Sequence, residues 1–371
     1  MTEERIRLVV LFGGRSAEHE ISVISARSVI GALDPGRYEV TAIGVTKEGR
    51  WVRMPSGPPA LRPGEAHEGL PRVTPEDGSD IALAQEPGSR TLVGPDGART
   101  PIDVVFPVMH GPFGEDGSIQ GFLEMAGVPY VGAGVLGSAL GMDKAAQKVV
   151  LAAAGVPVVE HDVVHEREWT DDPEAVEARA AHLGFPMFVK PAALGSSVGI
   201  SKVAEAGDIR AAINAAFAYG RKVVLERAME GAREIECAVL GNDDPVASIA
   251  GEIVPIGHEF YDYEAKYLDE AGSELKIPAD LPDETLAEVQ RLAVAAFRAI
   301  DAAGMARVDF FLTAEGAPVV NEVNTIPGFT QISMYPKLWE ASGVTYPELV
   351  DRLVELAIER HEMERKRGTG L

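Results

Sequence analysis

Residues 8–12, Leu-Val-Val-Leu-Phe, form an uninterrupted apolar run that stops at Gly13-Gly14. A run this short, closed by glycines, reads as a strand. The next thirty residues narrow the fold further. Ile21, Ile24, Val29 and Ile30 suit one helix face, and Tyr38 to Val45 reads as a second strand. Strand, glycine turn, helix, strand is the beginning of an α/β unit built on a parallel sheet. Cys237 is the single cysteine, so no intrachain disulfide braces the fold and a reducing compartment is expected. A chain of 371 residues has room for two or three domains with real cores. Its 34 Lys and Arg against 57 Asp and Glu give a net charge of −23, which argues against a nucleic-acid backbone as partner. A small anionic ligand held by a few local lysines remains open. The first residues, MTEERIRLVVLFGG, are too acidic and their apolar run too short for a signal peptide. No uncharged apolar stretch nears the roughly 18 residues of a membrane span. The expectation is a cytoplasmic, soluble, multidomain protein without a membrane partner.

Between Val52 and Pro101 the texture changes: 9 Pro and 7 Gly fall in this window, which reads as an irregular surface insertion with room for one hairpin. Strands are expected again at Ile102–Met109 and Val128–Val131, with a helix over Ser118–Ala126 between them. A helix from Asp143 to Ala154 ends at Gly155, before a strand Val156-Pro157-Val158-Val159. Beyond a helix near 173–183, the segments MFVKPA, GISKV, KVVLERA, IECAVLG and SIAGEIVPI alternate in a manner that looks antiparallel. The longest helix is expected over Glu284–Ala303, closed by Gly304, and a last amphipathic helix over Pro347–Glu362. We therefore expect an α/β domain over residues 1–138 carrying the insertion 52–101. A central domain, 139–227, and a larger one, 228–371 with a long loop at 256–278, complete the chain.

Several motifs carry chemistry. Residues 132–137, GAGVLG, match a dinucleotide fingerprint, but the segment runs into a helix, Glu160 is only a loose candidate for the downstream acid, and tight turns between packed elements explain the glycines better. Lys190 ends an apolar strand and precedes Gly195-Ser196-Ser197, a loop whose N–H groups and hydroxyls can close over phosphate oxygens. A plain hairpin turn is the alternative. Lys144, at a helix start, could add a second cation. In RVDFFL, Arg307 and Asp309 share a strand face by the period of two, as Glu322 and Asn324 do in VVNEVN. Oxygen donors on adjacent apolar strands are what Mg²⁺ accepts, with substrate phosphates completing its shell. An Arg307–Asp309 ion pair beside a satisfied Glu322 would be a purely structural use of the same residues. Glu226 ends a strand and Glu234 comes eight positions later, placed to meet ribose hydroxyls or simply water. Glu20 falls in the first turns of a helix, against its dipole or a substrate ammonium. The stretch 256–278, with three tyrosines among mixed charges, suits a lid over a site.

Seven motifs together resemble one family. SAEHEIS (16–22), HGPFGEDGSIQG (110–121), VGAGVLGSALGMDK (131–144), KPAALGSSVGIS (190–201), EFYDYEAKY (259–267), RVDFF (307–311) and NEVNTIPGFTQISMYPKL (321–338) run in the order of D-alanine–D-alanine ligases. The resemblance covers roughly residues 6–355. It implies a Rossmann-like N-terminal domain followed by a two-domain ATP-grasp fold, α/β and α+β in class. It further implies ATP as co-substrate, two Mg²⁺ ions (or Mn²⁺) and a homodimer. By matched position, Asp309, Glu322 and Asn324 would be metal ligands. Lys144, Lys190 and Lys266 would hold phosphates with Ser197, Glu226 and Glu234 would lie at the ribose, and Met229 would lie near adenine. Glu20 and His110 would receive the first D-alanine and Ser333 the second carboxylate. Arg307 and the backbone near Gly328 would face the oxyanion. Glu20, Ser196 and Tyr267 match the family's hydrogen-bonded set that pins the lid.

The chain departs from the family pattern in three places. Its 52–101 insertion is long, PAALGSS is less polar than usual before the glycine, and Arg227 stands where lysine is common. A D-alanine–D-lactate or D-alanine–D-serine ligase is the nearest alternative activity. Tyr267 and the sequence YDYEAKY resemble the dipeptide-forming type.

Overall fold

The computed structural model describes residues 4–59, 70–84, 86, 88–195, 198–255 and 273–367. The N-terminal sheet contains β1 (Ile6–Gly13), β2 (Tyr38–Val45), β3 (Trp51–Arg53) and β4 (Ser79–Asp80), with α1 (His19–Ala32) between its first two strands. A small sheet comes next, β5 (Ala82–Leu83), β6 (Thr91–Val93) and β7 (Arg99–Pro101), before the chain returns through β8 (Val104–Val108). The strand order is β4-β3-β2-β1-β8, and β1 runs parallel to both neighbours. Leu8 to Phe12 are at most 1% exposed, the double-sided burial that their unbroken apolar run requires. Gly13 ends β1 at φ +86°, and a Cβ there would sit 2.4 Å from the Val45 carbonyl oxygen, so only glycine fits the turn. The insertion is more regular than expected. β3 and β4 extend the main sheet, and β5-β6-β7 form an antiparallel sheet of their own.

Helices α2 (Ser118–Met125), α3 (Val135–Met142) and α4 (Lys144–Ala153) lead to a second sheet. Here β9 (His161–His165), α5 (Glu166–Asp171), α6 (Pro173–Leu183), β10 (Met187–Pro191), β11 (Ser201–Val203), α7 (Ile209–Phe217) and β12 (Lys222–Arg227) give the antiparallel order β11-β10-β12-β9. Two expected strands reduce to single bridges, Val105 with Tyr130 and Val158 with Val320. Pro157 has no N–H to donate, and its carbonyl accepts one bond from Val320 N at 2.8 Å. Two of the glycines of GAGVLG have local structural uses: Gly132 takes a left-handed turn at φ +99°, and a Cβ on Gly137 would lie 2.5 Å from the Asp301 carbonyl oxygen.

The third sheet holds β13 (Arg233–Gly241), β14 (Val246–Pro255), β15 (Ser273–Lys276), β16 (Gly304–Leu312) and β17 (Pro318–Asn324) in antiparallel order β15-β14-β13-β16-β17. Part of the expected lid loop is therefore an edge strand, β15, while 256–272 lie outside the described residues. Between β15 and β16 runs α8 (Asp283–Ala299), shorter than expected because the left-handed residue that ends it is Asp301, at φ +58°; Gly304, left-handed as well, opens β16. Asp301 N donates to Arg298 O at 3.1 Å and Ala302 N to Phe297 O at 3.0 Å, the Schellman pattern. After β17 come α9 (Met334–Ala341) and α10 (Tyr346–Lys366), the longest helix among the described residues and longer than its sequence pattern indicated. One core joins α1 and β1 to α9 and α10 through Val23, Val29, Phe329, Tyr335, Leu349 and Leu353. A second packs α8 and Leu151 of α4 on the third sheet.

Candidate active site

The glycine turn after β1 is held from below. Gly13 N donates to Ser22 Oγ at 2.7 Å, and Ser22 Oγ donates to the Val108 carbonyl, tying α1 to the ends of β1 and β8. His19 is buried and its pKa is lowered, chiefly by burial. Its Nδ1 lies 2.8 Å from Gly14 O while Nε2 accepts from Val73 N at 3.0 Å, a neutral ring bonded at both nitrogens. On this frame Glu20 emerges beside Lys47, 2.8 Å away, with Arg72 at 3.9 Å.

His110 lies just beyond β8 and reaches across to the third sheet. Its Nδ1 donates to Ile326 O at 3.1 Å, its Nε2 meets Ser25 Oγ at 3.1 Å, and Ser16 Oγ donates to its carbonyl at 2.7 Å. Burial alone would push its pKa down, but Glu115, 4.0 Å away, carries it upward. A residue of the N-terminal domain is thus fixed to the segment preceding Gly328.

Three lysines converge from α4 and β10. Asp143 caps α4 by accepting from Ala146 N at 2.9 Å, which fixes Lys144 in the first turn. Lys144 Nζ donates to Leu194 O at 3.0 Å and lies 3.1 Å from Glu322. One turn on, Lys148 is fully buried, 3.0 Å from Glu226 Oε1 and bonded to Asn321 O at 3.0 Å. Lys190 donates to the other oxygen of Glu226 at 2.5 Å and approaches Asn321 Oδ1 at 3.4 Å. Burial would raise the Glu226 pKa, but Lys190 and Lys148 more than reverse this and hold it well below the usual carboxylate range. The Lys148 pKa is lowered by its burial.

Strands β16 and β17 place Asp309 opposite Glu322 and Arg307 opposite Asn324, with a bulge just after Asp309. Arg307 forks onto Asp309 at 2.7 and 2.8 Å and reaches Glu236 at 2.9 Å, while Asn324 Nδ2 donates to Asp309 at 2.9 Å. Desolvation opposes the Arg307 charge, yet Asp309 and Glu236 raise its pKa well above normal. Beyond β17, Ser333 opens α9 and its Oγ receives Thr330 N at 3.1 Å; a Cβ on Gly328 would stand 3.2 Å from that oxygen. Met229 lies half-buried in the turn after β12, and Glu234 opens β13 opposite Phe311.

The structure therefore gathers Lys144, Lys190, Glu226, Arg307, Asp309, Glu322 and Asn324 into one connected cluster, and His110 joins Glu20's side of the molecule to the Gly328 segment. Ser196, Ser197, Lys266 and Tyr267 lie outside the described residues. Glu226, read as facing ribose or water, is instead 2% exposed and locked between two lysines. Sequence reasoning missed Lys148, Glu236, Asn321, Glu115 and Lys47. Two of these carried a signal: Lys148 is one helical turn from Lys144, and Glu236 shares a strand face with Glu234.

The donors at the hairpin fit a hard divalent cation: two carboxylates and an amide, all oxygen, from neighbouring strands. Among the described residues no three His, Cys, Asp or Glu side chains could hold a metal unaided, so such an ion would draw the rest of its shell from phosphate and water. Lysines from α4 and from the antiparallel sheet of β10, set against a second sheet carrying oxygen donors, are the arrangement of the ATP-grasp class. Two family models match, "D-ala D-ala ligase N-terminus" over residues 7–133 and "D-ala D-ala ligase C-terminus" over 150–355. The chain belongs to the D-alanine–D-alanine ligase family. A D-alanine–D-alanine ligase of Thermoanaerobacter sp. (strain X514) is 51% identical over 96% of this chain and 98% of its own, and one of Streptomyces griseus is 48% identical over 95% and 93%. Among solved structures, the D-alanine–D-alanine ligase of Coxiella burnetii superposes with TM-score 0.84 at 38% identity, covering 98% of this chain and 97% of its own. The VanG D-Ala:D-Ser ligase of Enterococcus faecalis gives 0.82 at 33%, covering 95% and 100%.

Proposed function

We infer that this chain joins two D-alanine molecules into D-alanyl-D-alanine, a peptidoglycan precursor, with conversion of ATP to ADP and phosphate. The observation that carries the reading is Lys144, which at 3.0 and 3.1 Å ties the Leu194 carbonyl of the glycine loop to Glu322 of the acidic hairpin. Phosphate cradle and oxygen donors thereby face one another across a single lysine.

The first D-alanine places its ammonium at Glu20, where Lys47 now sits, with His110 beside it. Its carboxylate oxygen attacks the γ-phosphorus, the bond to the ADP oxygen breaks, and an acyl phosphate forms. Lys144 and Lys190 hold the phosphates, with Ser197 and Lys266; Glu234 and Met229 border the nucleoside, while Glu226 holds Lys190 in place from beneath. Asp309, Glu322 and Asn324 would hold Mg²⁺ or Mn²⁺, which supplies charge neutralisation on the phosphates when bound. The amine of the second D-alanine attacks the acyl carbon, losing a proton, and phosphate departs. Arg307 and the backbone near Gly328 stabilise the oxyanion, a contribution of several kcal/mol in such sites. Ser333 opens α9, where a helix N-terminus favours the second carboxylate. Glu20, Ser196 and Tyr267 pin the lid and exclude water, which would hydrolyse the acyl phosphate.

ADP release with ATP and Mg²⁺, with and without D-alanine, tests this; release indifferent to D-alanine overturns it. Offering D-alanine, D-serine and D-lactate at pH 7.5 tests the second substrate, and preferential formation of a depsipeptide would reverse the assignment drawn from the lid sequence. The reading includes a cytoplasmic homodimer, checked by a light-scattering mass of twice 39.5 kDa. No helix among the described residues is long and apolar enough to cross a membrane.

A further inference from the structure

A cavity of about 480 Å³ lies between the N-terminal domain and the end of α10, lined by Arg7, Ser89, Arg90, Asp103, His361 and Arg365 among others. It is remote from the reaction centre. Arg7 stands near the start of β1 and Gly13 at its far end, six residues or roughly 20 Å along the strand. Against a net charge of −23, this cavity is locally cationic.

The charges facing it are unevenly matched. Arg7 is satisfied by Asp103 through bonds of 2.6, 2.8 and 2.9 Å. Arg90 and Arg365 make no ion pair among the described residues. Arg90 spends Nε on the Gly127 carbonyl at 3.2 Å and Nη2 on His361 Nε2 at 2.8 Å. The Ser89 hydroxyl is buried with no hydrogen-bond partner among the described residues. On α10, Arg360 also bears on His361, and Glu362 is the carboxylate nearest in sequence. Burial, then Arg90, Arg365 and Arg360, push the His361 pKa down to about 4, so the ring accepts from Arg90 as neutral imidazole. Two guanidiniums without an ion pair (Arg90 feels only the more distant Asp103 and Glu362 carboxylates), one hydroxyl without a partner among the described residues and a recess of this volume describe a site for a compact anion. Guanidinium forks match the spacing of tetrahedral oxyanion oxygens.

We propose that this cavity binds a small tetrahedral oxyanion of the phosphate class, bridging Arg90 of the N-terminal domain and Arg365 of α10, separately from the nucleotide site. The bound anion cancels part of the repulsion on His361. Protons and anion then bind cooperatively, and affinity rises as pH falls toward 5.5.

The test uses the full chain with isotopically labelled histidine, titrated with sodium sulfate, which does not itself titrate in this range, at constant ionic strength. His361→Gln identifies the resonance. Expected are a saturable shift of the His361 signals, an upward move of its pKa, and affinity several-fold tighter at pH 5.5 than at 7.5. Arg365→Ala, at an exposed position, should abolish the shift while leaving D-alanine-dependent ADP release unchanged. Arg90→Ala should do the same if it folds, and the conservative Arg90→Lys should restore part of the response. Parallel titrations with inorganic phosphate and methyl phosphate at pH 7.5 separate a free oxyanion from a phosphate monoester. A linear, unsaturated shift, an identical response in Arg365→Ala, or affinity independent of pH would each overturn the proposal.

Discussion

Glu226→Gln probes the one carboxylate that two buried lysines share. In the wild type, Lys148 and Lys190 lie 3.0 and 2.5 Å from its two oxygens. The variant keeps the shape and removes the charge, leaving two buried cations facing a neutral amide. Breaking a buried ion pair from one side costs about 3–5 kcal/mol. A second route bounds the figure: Lys148 can escape by losing its proton, and from a reference pKa of ~10.4 that costs about 4 kcal/mol at pH 7.5. The two agree on roughly 3–4 kcal/mol, which for a chain of 371 residues lowers the midpoint of thermal unfolding by about 5 °C. The pH dependence has a definite sign. A lysine with a lowered folded-state pKa binds fewer protons folded than unfolded; losing Glu226 lowers Lys148 further, so the variant gains on the wild type with rising pH until the wild-type Lys148, itself lowered by burial, also loses its proton. The deficit should shrink by about 1.4 kcal/mol per pH unit above the new folded-state pKa. Lys148→Met, which leaves Lys190 and Glu226 as a matched pair, should be milder. Calorimetry of the ligand-free proteins from pH 7 to 9 decides it. A Glu226→Gln midpoint within about 2 °C of wild type, or a deficit flat across that range, refutes the reasoning.

Asp309→Asn and Glu322→Gln should abolish turnover while each variant keeps the wild-type far-ultraviolet circular dichroism; normal activity with unchanged Mg²⁺ dependence in either would remove that residue from the ligand set. Gly13→Ala forces a Cβ within 2.4 Å of the Val45 carbonyl at φ +86° and should cost at least about 2 kcal/mol, read as a lowered denaturation midpoint. Cys237 is buried and its thiol pushed up to about 12 by desolvation, so it should resist a disulfide reagent at pH 8 until denaturant is added; rapid labelling of native protein would contradict this placement.

The parts of the fold legible in the sequence were those in which one local rule acted alone. The apolar run at 8–12 had a single reading, and so did the alternation that puts Arg307 with Asp309 and Glu322 with Asn324. Where two rules competed, the sequence pattern misled. Asp301 took the left-handed helix-ending position that glycine usually fills, so α8 stops at Ala299. In the insertion, proline and glycine density hid short strands whose partners are distant in sequence or as short as they are: Val52 pairs with Gly44 and with Asp80, and β6 with β5 and β7. The site was legible as residue types and illegible as pairings. Nothing local says that Glu226 meets Lys148 and Lys190, because those contacts join a strand, a helix and a second strand folded together over 78 positions.

Those pairings change what the net charge means for ATP. Among the described residues of the cluster, Lys144, Lys148, Lys190 and Arg307 face Glu226, Glu236, Asp309 and Glu322: four cations against four carboxylates. These described residues already balance without a nucleotide, so Lys144, Lys148 and Lys190 bring no net charge of their own to a phosphate. A triphosphate of about four negative charges entering here would leave a partly buried excess of that size unless cations accompany it. Two divalent ions would restore the balance, and the oxygen donors at 309, 322 and 324 are where such ions would be held. The consequence is measurable by calorimetric titration of ATP into the ligand-free protein. Binding should weaken by at least tenfold when EDTA replaces Mg²⁺, and Glu322→Gln, which removes one carboxylate and leaves Lys144 uncompensated, should narrow that gap by strengthening metal-free binding. Equal ATP affinity with and without divalent ions would mean that the lysines abandon their carboxylates for phosphate, and the neutral-site argument would fail.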